Sequence, residues 1–168
     1  MGKKSIKENK SIYQISREAN NLTRENVEDL MLGLTASRIE KIENGKTMIH
    51  PEDVILMSKC YKKPGLCNYY CSNECPIGIK KIPDVELKEL GQITIETLNA
   101  LNKLNKEKDR LLEIAEDGTV GPEETTDFLV IKSTLDKISL SVQALQLWID
   151  EAIANGKLPN NFITSSTK

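Results

Sequence analysis

A chain of 168 residues with 39% hydrophobic, 29% charged and only 4% aromatic residues is typical of a helical protein packed through Leu and Ile, and it argues against a β-sandwich. The net charge of −2 excludes a basic surface over the whole molecule. No apolar run is long enough to cross a bilayer and no hydrophobic signal region follows the Lys-rich start, so we expect a cytoplasmic protein.

The charge is divided unevenly along the chain. Residues 1–63 hold 12 Lys and Arg against 9 Asp and Glu, whereas residues 64–168 hold 11 against 16. Only the N-terminal part can therefore be drawn to phosphate groups. Because its excess of cations is small, any affinity for nucleic acid must come from where those cations are placed.

The chain begins with a polar, Lys-rich stretch, and we predict a disordered basic tail over residues 1–10. The alternative is a basic arm that reaches DNA. A first helix is predicted over the next ten residues. In it Ile12, Ile15 and Ala19 face the core at helical spacing, and Tyr13 is partly exposed.

Residues 21–45 predict two short helices joined by a tight turn. Gly33 supplies the positive φ that a sharp reversal between helices requires. Before it, Val27, Leu30 and Met31 recur at helical spacing and give the first helix an apolar face.

The second helix of this pair is predicted over residues 36–43. Thr35 caps its start and Asn44-Gly45 ends it. Ile39 and Ile42 need the first helix to cover them. The opposite side carries short, hydrogen-bonding or cationic residues: Ala36, Ser37, Arg38, Lys41 and Asn44.

Several positions at fixed spacing resemble the helix-turn-helix of xenobiotic-response-element (lambda-repressor-like) regulators. The matching stretches are residues 22–27, 33–35, 38–39 and 42–46, and a helix that begins at Pro51 follows them, as in that family. The resemblance covers residues 11–63. It implies a double-stranded DNA partner and a recognition helix, residues 36–43, in the major groove.

The predicted DNA-binding residues lie on this helix and beside it. Base edges are assigned to Ala36, Ser37, Arg38 and Lys41, with Arg38 as the bidentate reader of a guanine. Thr35, at the cap, belongs to the same site. Phosphate contacts are assigned to a second set, which consists of Arg24, Asn44, Lys46 and Thr47.

Two acidic residues depart from the family pattern and support an alternative function. Glu28 and Glu40 replace small residues and would repel phosphate. They favour a protein-interaction adaptor that keeps the helix-turn-helix fold without binding DNA. The sequence carries no motif for catalysis, and His50 is the only histidine, so we predict that the protein is not an enzyme.

All four cysteines lie within 16 residues, at Cys60, Cys67, Cys71 and Cys75. Four converging thiolates would suit a zinc ion or an iron–sulfur cluster. Two alternatives remain open, namely a redox-sensing pair formed by Cys71 and Cys75, or buried thiols without a ligand. We treat residues 64–83 as a cysteine-containing linker.

Beyond the linker, residues 84–156 predict a long helical hairpin with breaks at Asp117-Gly118 and Asn155-Gly156. Its predicted seam steps by three and four residues along both helices. On the first helix the seam is Leu87, Leu90, Thr94, Thr97, Leu101, Leu104, Lys108, Leu111 and Ala115. On the second it is Phe128, Ile131, Leu135, Ile138, Val142, Leu145, Ile149 and Ala152.

Apolar residues beside this seam exceed what one partner helix can cover, so we predict a homodimer held by coiled-coil-like contacts of the C-terminal helices. Residues 157–168 are predicted as a disordered tail. The predicted fold is all-α, with a lambda-repressor-like helix-turn-helix domain at residues 11–63 followed by a long antiparallel two-helix hairpin.

Overall fold

The structure is a computed structural model that describes residues 9–159. Within that range the chain is helical and contains no strand. Residues 1–8 and 160–168, which belong to the two predicted tails, lie outside the described residues. The helices are α1 (Ile12–Ala19), α2 (Arg24–Leu30), α3 (Ala36–Glu43), α4 (Pro51–Cys60), α5 (Gly65–Asn73), α6 (Gly78–Lys81), α7 (Leu90–Ala115) and α8 (Thr125–Ala154).

The described chain forms two compact units. Residues 9–84 and 150–159 belong to the first, and residues 85–149 to the second. The helix-turn-helix lies in the first unit, and the paired stretches of α7 and α8 make up the second.

Local signals define α2 and α3, as the sequence predicts. The Thr23 hydroxyl accepts a hydrogen bond from the Asn26 N–H, and the Asn26 side chain accepts one from the Thr23 N–H, which closes a reciprocal cap on α2. Gly33 has a φ of 96° and turns the chain between the two helices. After α3 ends, Gly45 has a φ of 66°.

The core of the first unit joins all of its longer helices. Each of α2 to α5 contributes at least one side chain with almost no exposure to solvent. Leu66 of α5 is part of this core, so α5, which lies within the predicted linker of residues 64–83, packs onto the helix-turn-helix. The core consists of Tyr13, Val27, Leu34, Ile39, Ile42, Ile49, Val54, Met57, Tyr61 and Leu66.

The buried face of α1 differs from the prediction. Ile15 is 51% exposed and Ala19 is also exposed, whereas Tyr13 and Arg17 are buried. The reason lies in partners that are distant in sequence. Arg17 pairs with Glu43, and the Tyr13 hydroxyl donates to Glu74 at 3.1 Å.

Glu43, at the end of α3, is the charged centre of the first unit. Its carboxylate accepts hydrogen bonds from Arg17 of α1 at 2.6 and 3.0 Å and from Arg24 of α2 at 2.9 Å. The Glu43 side chain has no exposed surface. One buried acid therefore joins three helices.

Helices α5 and α6 approach each other closely at Gly78. A Cβ atom added there would lie 2.0 Å from the backbone oxygen of Cys71, a distance that no real side chain tolerates. The absence of a side chain at Gly78 thus permits the contact.

In the second unit α7 and α8 pack against each other and run antiparallel. Arg110 forms an ion pair with Asp127 at 2.7 Å near the connecting loop. Toward the other end, Ile93 packs with Ala144 and Leu147. None of the helices among the described residues has the length and apolar character that a bilayer span requires.

The seam between α7 and α8 is rotated from the predicted one. Half of its buried side chains are small and the other half are Ile or Leu, namely Ile93, Ala100, Ile114, Ile131, Thr134, Ser141, Ala144 and Leu147. Apolar side chains of the predicted seam, such as Leu101, Leu135 and Val142, are exposed. Small residues such as Ala100 and Ala144 let the two helices pack closely.

The first prediction concerns Glu43. Glu43→Gln removes the charge that compensates two arginines in a buried site, and we expect a loss of about 3 kcal/mol in the free energy of unfolding. Urea denaturation followed by far-UV circular dichroism measures it. Glu40→Gln, on the exposed side of the same helix, is the matched control and should change stability by less than about 0.5 kcal/mol. Equal effects of the two variants would contradict a special role for Glu43.

The second prediction concerns Gly78. Gly78→Ala forces α6 away from the Cys71 carbonyl and should destabilise the first unit by roughly 1–3 kcal/mol in the same denaturation experiment. Gly91→Ala is the control because a Cβ at Gly91 meets nothing within 4 Å. That control should leave stability unchanged or raise it by up to about 1 kcal/mol. A neutral Gly78→Ala variant would show that the close approach does not matter.

Candidate nucleic-acid interface

Helix α3 separates its side chains into a buried and an exposed set. Ile39, Ile42 and Glu43 are buried. On the other side Ser37, Glu40 and Lys41 are exposed. The predicted outer side of the helix is therefore available to a partner, although a carboxylate lies beside Lys41.

The first turn of α3 is capped from within the protein. The Thr35 hydroxyl accepts a hydrogen bond from the Arg38 N–H at 3.2 Å, and the Glu28 carboxylate accepts one from the Ala36 N–H at 3.0 Å. Glu28 thus has a structural role at the positive end of the helix dipole. These two N–H groups are engaged, and a phosphate at this end of α3 would meet the Glu28 carboxylate.

Arg38, predicted to read a guanine with two hydrogen bonds, is held by Asp53 at the start of α4. Its Nε donates to Asp53 Oδ1 at 2.8 Å, and its Nη2 donates to Oδ2. Burial opposes ionisation of Asp53, but the hydrogen bonds from Arg38 and from the His50 N–H outweigh it and keep the pKa of Asp53 below its usual value. A bidentate contact with guanine through the same Nε and Nη2 edge would first require this ion pair to open.

Arg24, predicted to contact phosphate, is likewise engaged by Glu43 through Nε and Nη2. Its side chain is about one-third exposed, so part of the guanidinium still faces solvent. The ion pair fixes the position of this cation at the start of α2.

The loop after α3 carries most of the remaining predicted site. The Lys46 N–H donates to the Lys41 backbone oxygen at 2.8 Å, and the Asn44 side chain donates to the Glu40 backbone oxygen at 2.9 Å. Lys46 is exposed and Thr47 is half-buried. Within residues 9–159 neither Lys41 nor Lys46 forms an ion pair. These two lysines are thus available to phosphate.

The four cysteines of the predicted metal site are half-buried free thiols. Burial raises the pKa of Cys60 and Cys71, which favours the protonated form of both thiols. Cys67 donates to the Ser58 hydroxyl with an Sγ to Oγ distance of 3.4 Å. In the described part of the chain, no three Cys, His, Asp or Glu side chains are arranged to hold a metal ion. A metal or cluster would thus require these side chains to rearrange, and both the metal site and the Cys71–Cys75 redox pair stay predictions.

Two functional features were missed at the sequence level. In the sequence, Asp53 is one of two acidic residues in the first turn of α4. Its ion pair with Arg38 is visible only in the structure. Glu43 belongs to the motif that carries the family resemblance, but nothing in the motif identifies its two arginine partners. For Asp53 the available signal was its position next to the positive end of a helix dipole.

Comparison with known proteins supports this geometry. Residues 15–65 match the family model described as helix-turn-helix. No curated protein and no solved structure matches the chain. The matched family is DNA-binding and regulatory, not enzymatic. Residues 15–65, from α1 to the start of α5, are thus a helix-turn-helix domain of the lambda-repressor-like (xenobiotic-response-element) family.

Proposed function

We propose that the protein is a dimeric, sequence-specific transcriptional regulator in the cytoplasm that places α3 in the major groove of DNA. The observation that carries the proposal is the division of α3 into a buried side fixed by Glu43 and an exposed side with Ser37 and Lys41. A helix presented in this way by a tightly connected preceding helix is what major-groove recognition requires.

Cations that form ion pairs within the protein and cations that do not have different proposed roles. Lys46 and Lys41 are both exposed, and we assign both to phosphate, although the sequence placed Lys41 at a base edge. The Thr47 hydroxyl lies beside them. Ser37 meets a base edge. In Arg38 the Nε–H and one N–H of Nη2 are engaged by Asp53, which leaves two N–H groups on Nη1 and one on Nη2 as donors. We therefore assign Arg38 a contact to a base through its Nη1–Nη2 edge while its pair with Asp53 is intact.

The proposed dimer forms through one face of the hairpin. Leu98, Leu101 and Leu112 on α7 are 55%, 44% and 69% exposed. With 3.6 residues per turn, they lie roughly 130° around α7 from the buried seam. Apolar side chains in such a row are typical of an interface.

A second row lies on α8 and consists of Phe128, Leu135 and Val142. It is rotated from the seam of α8 by roughly the same angle and in the same sense. Because the helices are antiparallel, equal rotations in the same sense bring the two rows to one side of the hairpin. We call this side the apolar face, and we propose that it pairs with its copy in a second subunit to form a four-helix bundle.

Two such subunits would present two copies of α3 to DNA. Regulators of this geometry bind half-sites whose centres are about one helical turn of DNA apart. Dimerisation also doubles the number of lysines that contact phosphate, which compensates for the small positive charge of each helix-turn-helix.

The protein-interaction adaptor remains the alternative, and specific observations favour it. Glu28 and Glu40 place carboxylates at the start and on the outer side of α3, and Asp53 engages Arg38. All three carboxylates weaken the attraction of this surface for phosphate. Binding to random duplex DNA separates the two functions. Affinity that falls steeply as salt is raised supports the regulator, and no binding at low salt supports the adaptor.

The third prediction concerns the two free lysines. Lys41→Ala and Lys46→Ala should each weaken binding to duplex DNA and reduce the slope of log affinity against log salt by about 1, because one phosphate contact is lost. Fluorescence anisotropy with a labelled duplex measures both quantities. Lys59→Ala, which removes an exposed lysine from α4, is the control and should leave the slope unchanged. If all three variants show the same affinity and the same salt slope, Lys41 and Lys46 do not contact phosphate at the proposed DNA interface.

The fourth prediction concerns the apolar face. Leu135→Glu places a charge in the proposed subunit interface and should convert the dimer to a monomer, as measured by light scattering coupled to size-exclusion chromatography. Ser133→Glu adds the same charge to an exposed position on the far side of α8, and it should leave the dimer intact. A wild-type protein with the mass of a monomer at micromolar concentration would refute the proposed dimer.

A further inference from the structure

A cavity of about 420 Å³ lies next to the end of α3. Its walls come from three parts of the first unit. Tyr13 lies in the first turn of α1, Ile42 and Thr47 belong to α3 and its following loop, and Tyr70 and Glu74 come from α5 and its C-terminal cap. This volume is within the range of small-molecule sites, about 300–1,000 Å³.

The third wall is an addition of this chain to the shared domain. The family match ends at residue 65, so Tyr70, Glu74 and Pro76 lie beyond it. These residues are held in place because Leu66 anchors α5 in the core and Tyr69 contacts Tyr13 edge-on, with ring centroids 6.1 Å apart. A groove beside the recognition helix is thereby converted into a cavity.

The lining is apolar and aromatic with a single charge. Among the lining residues, Glu74 is the one acidic residue, and none is Lys, Arg or His. Its Oε1 accepts the hydrogen bond from Tyr13, and within the described residues no Lys or Arg pairs with it. Burial, together with the Glu74 carboxylate, raises the pKa of Tyr13, so the hydroxyl stays protonated and keeps donating.

We propose that this cavity binds a small organic cation with an apolar body. The ammonium group pairs with Glu74, and the apolar body packs between Tyr13, Tyr70 and the side chains of Ile42 and Met48. Aromatic rings and a carboxylate together favour a cation over a neutral or anionic ligand of the same shape.

Because the cavity lies beside the proposed DNA-binding loop, a bound ligand should change the affinity for DNA. This consequence rests on the proposed function. Gly45 and Thr47 line the cavity, and Lys46 lies between them. A ligand that contacts this loop shifts the placement of a lysine proposed to bind phosphate. By linkage, DNA must then change the affinity for the ligand by the same factor.

The test uses the full chain and the probe 2-phenylethylammonium, with 2-phenylethanol as the neutral analogue. Titrations are followed by ¹H–¹⁵N correlation spectra without DNA. We expect shifts of the amides of Ile42, Thr47 and Ile49 with the ammonium probe and much smaller shifts with the alcohol. Glu74→Gln should weaken binding of the cation about tenfold by removing the charge-assisted contact. Asp29→Asn, at an exposed acid of α2 outside the cavity, should leave that affinity unchanged.

Equal binding of the alcohol, no shifts at these amides, or an unchanged affinity in Glu74→Gln would each overturn the proposal. Because these measurements contain no DNA, they are independent of whether the protein binds DNA. DNA affinity of the ligand-free protein tests the proposed function separately. A DNA affinity that does not respond to a probe shown to bind would refute only the regulatory consequence.

Discussion

The first unit depends on the carboxylate of Glu43. It is buried at the end of α3 and receives hydrogen bonds from Arg17 of α1 and Arg24 of α2. Apolar contacts alone could let α3 rotate or slide, whereas two guanidinium groups directed at one acid fix both its angle and its register. The exposed side of α3 is consequently held in one orientation before any partner arrives, which reduces the ordering cost of binding.

A division between arginine and lysine follows from this arrangement. Arg17, Arg24 and Arg38 all pair with acids of the protein, and the exposed cations of α3 and its loop are Lys41 and Lys46. Arginine offers a planar fork of donors suited to internal carboxylates, while lysine is a compact, hydrated charge. Under the proposed function, the phosphate contacts of this surface come from these two lysines, and base selectivity comes from few hydrogen bonds.

The sequence predicted those parts of the fold that depend on local signals. The bounds of α3 and the turn at Gly33 follow from a capping threonine, an Asn-Gly end and one glycine, all within a few residues. The buried face of α1 could not be predicted in this way, because the burial of Arg17 depends on Glu43, 26 positions away. In the hairpin, the heptad pattern identified the apolar residues but not which partner covers them. The cavity beside α3 could not be predicted from the sequence either, because it forms only when α5 folds back on the domain.

The hairpin buries Ile93, Ile114 and Ile131 between its own helices and leaves Leu135 and its apolar neighbours outside. Under the proposed pairing, these outer residues are buried only when a copy arrives. If the proposed pairing holds, the stability of the hairpin rises with protein concentration. The amount of protein synthesised then sets the fraction of subunits able to span two half-sites.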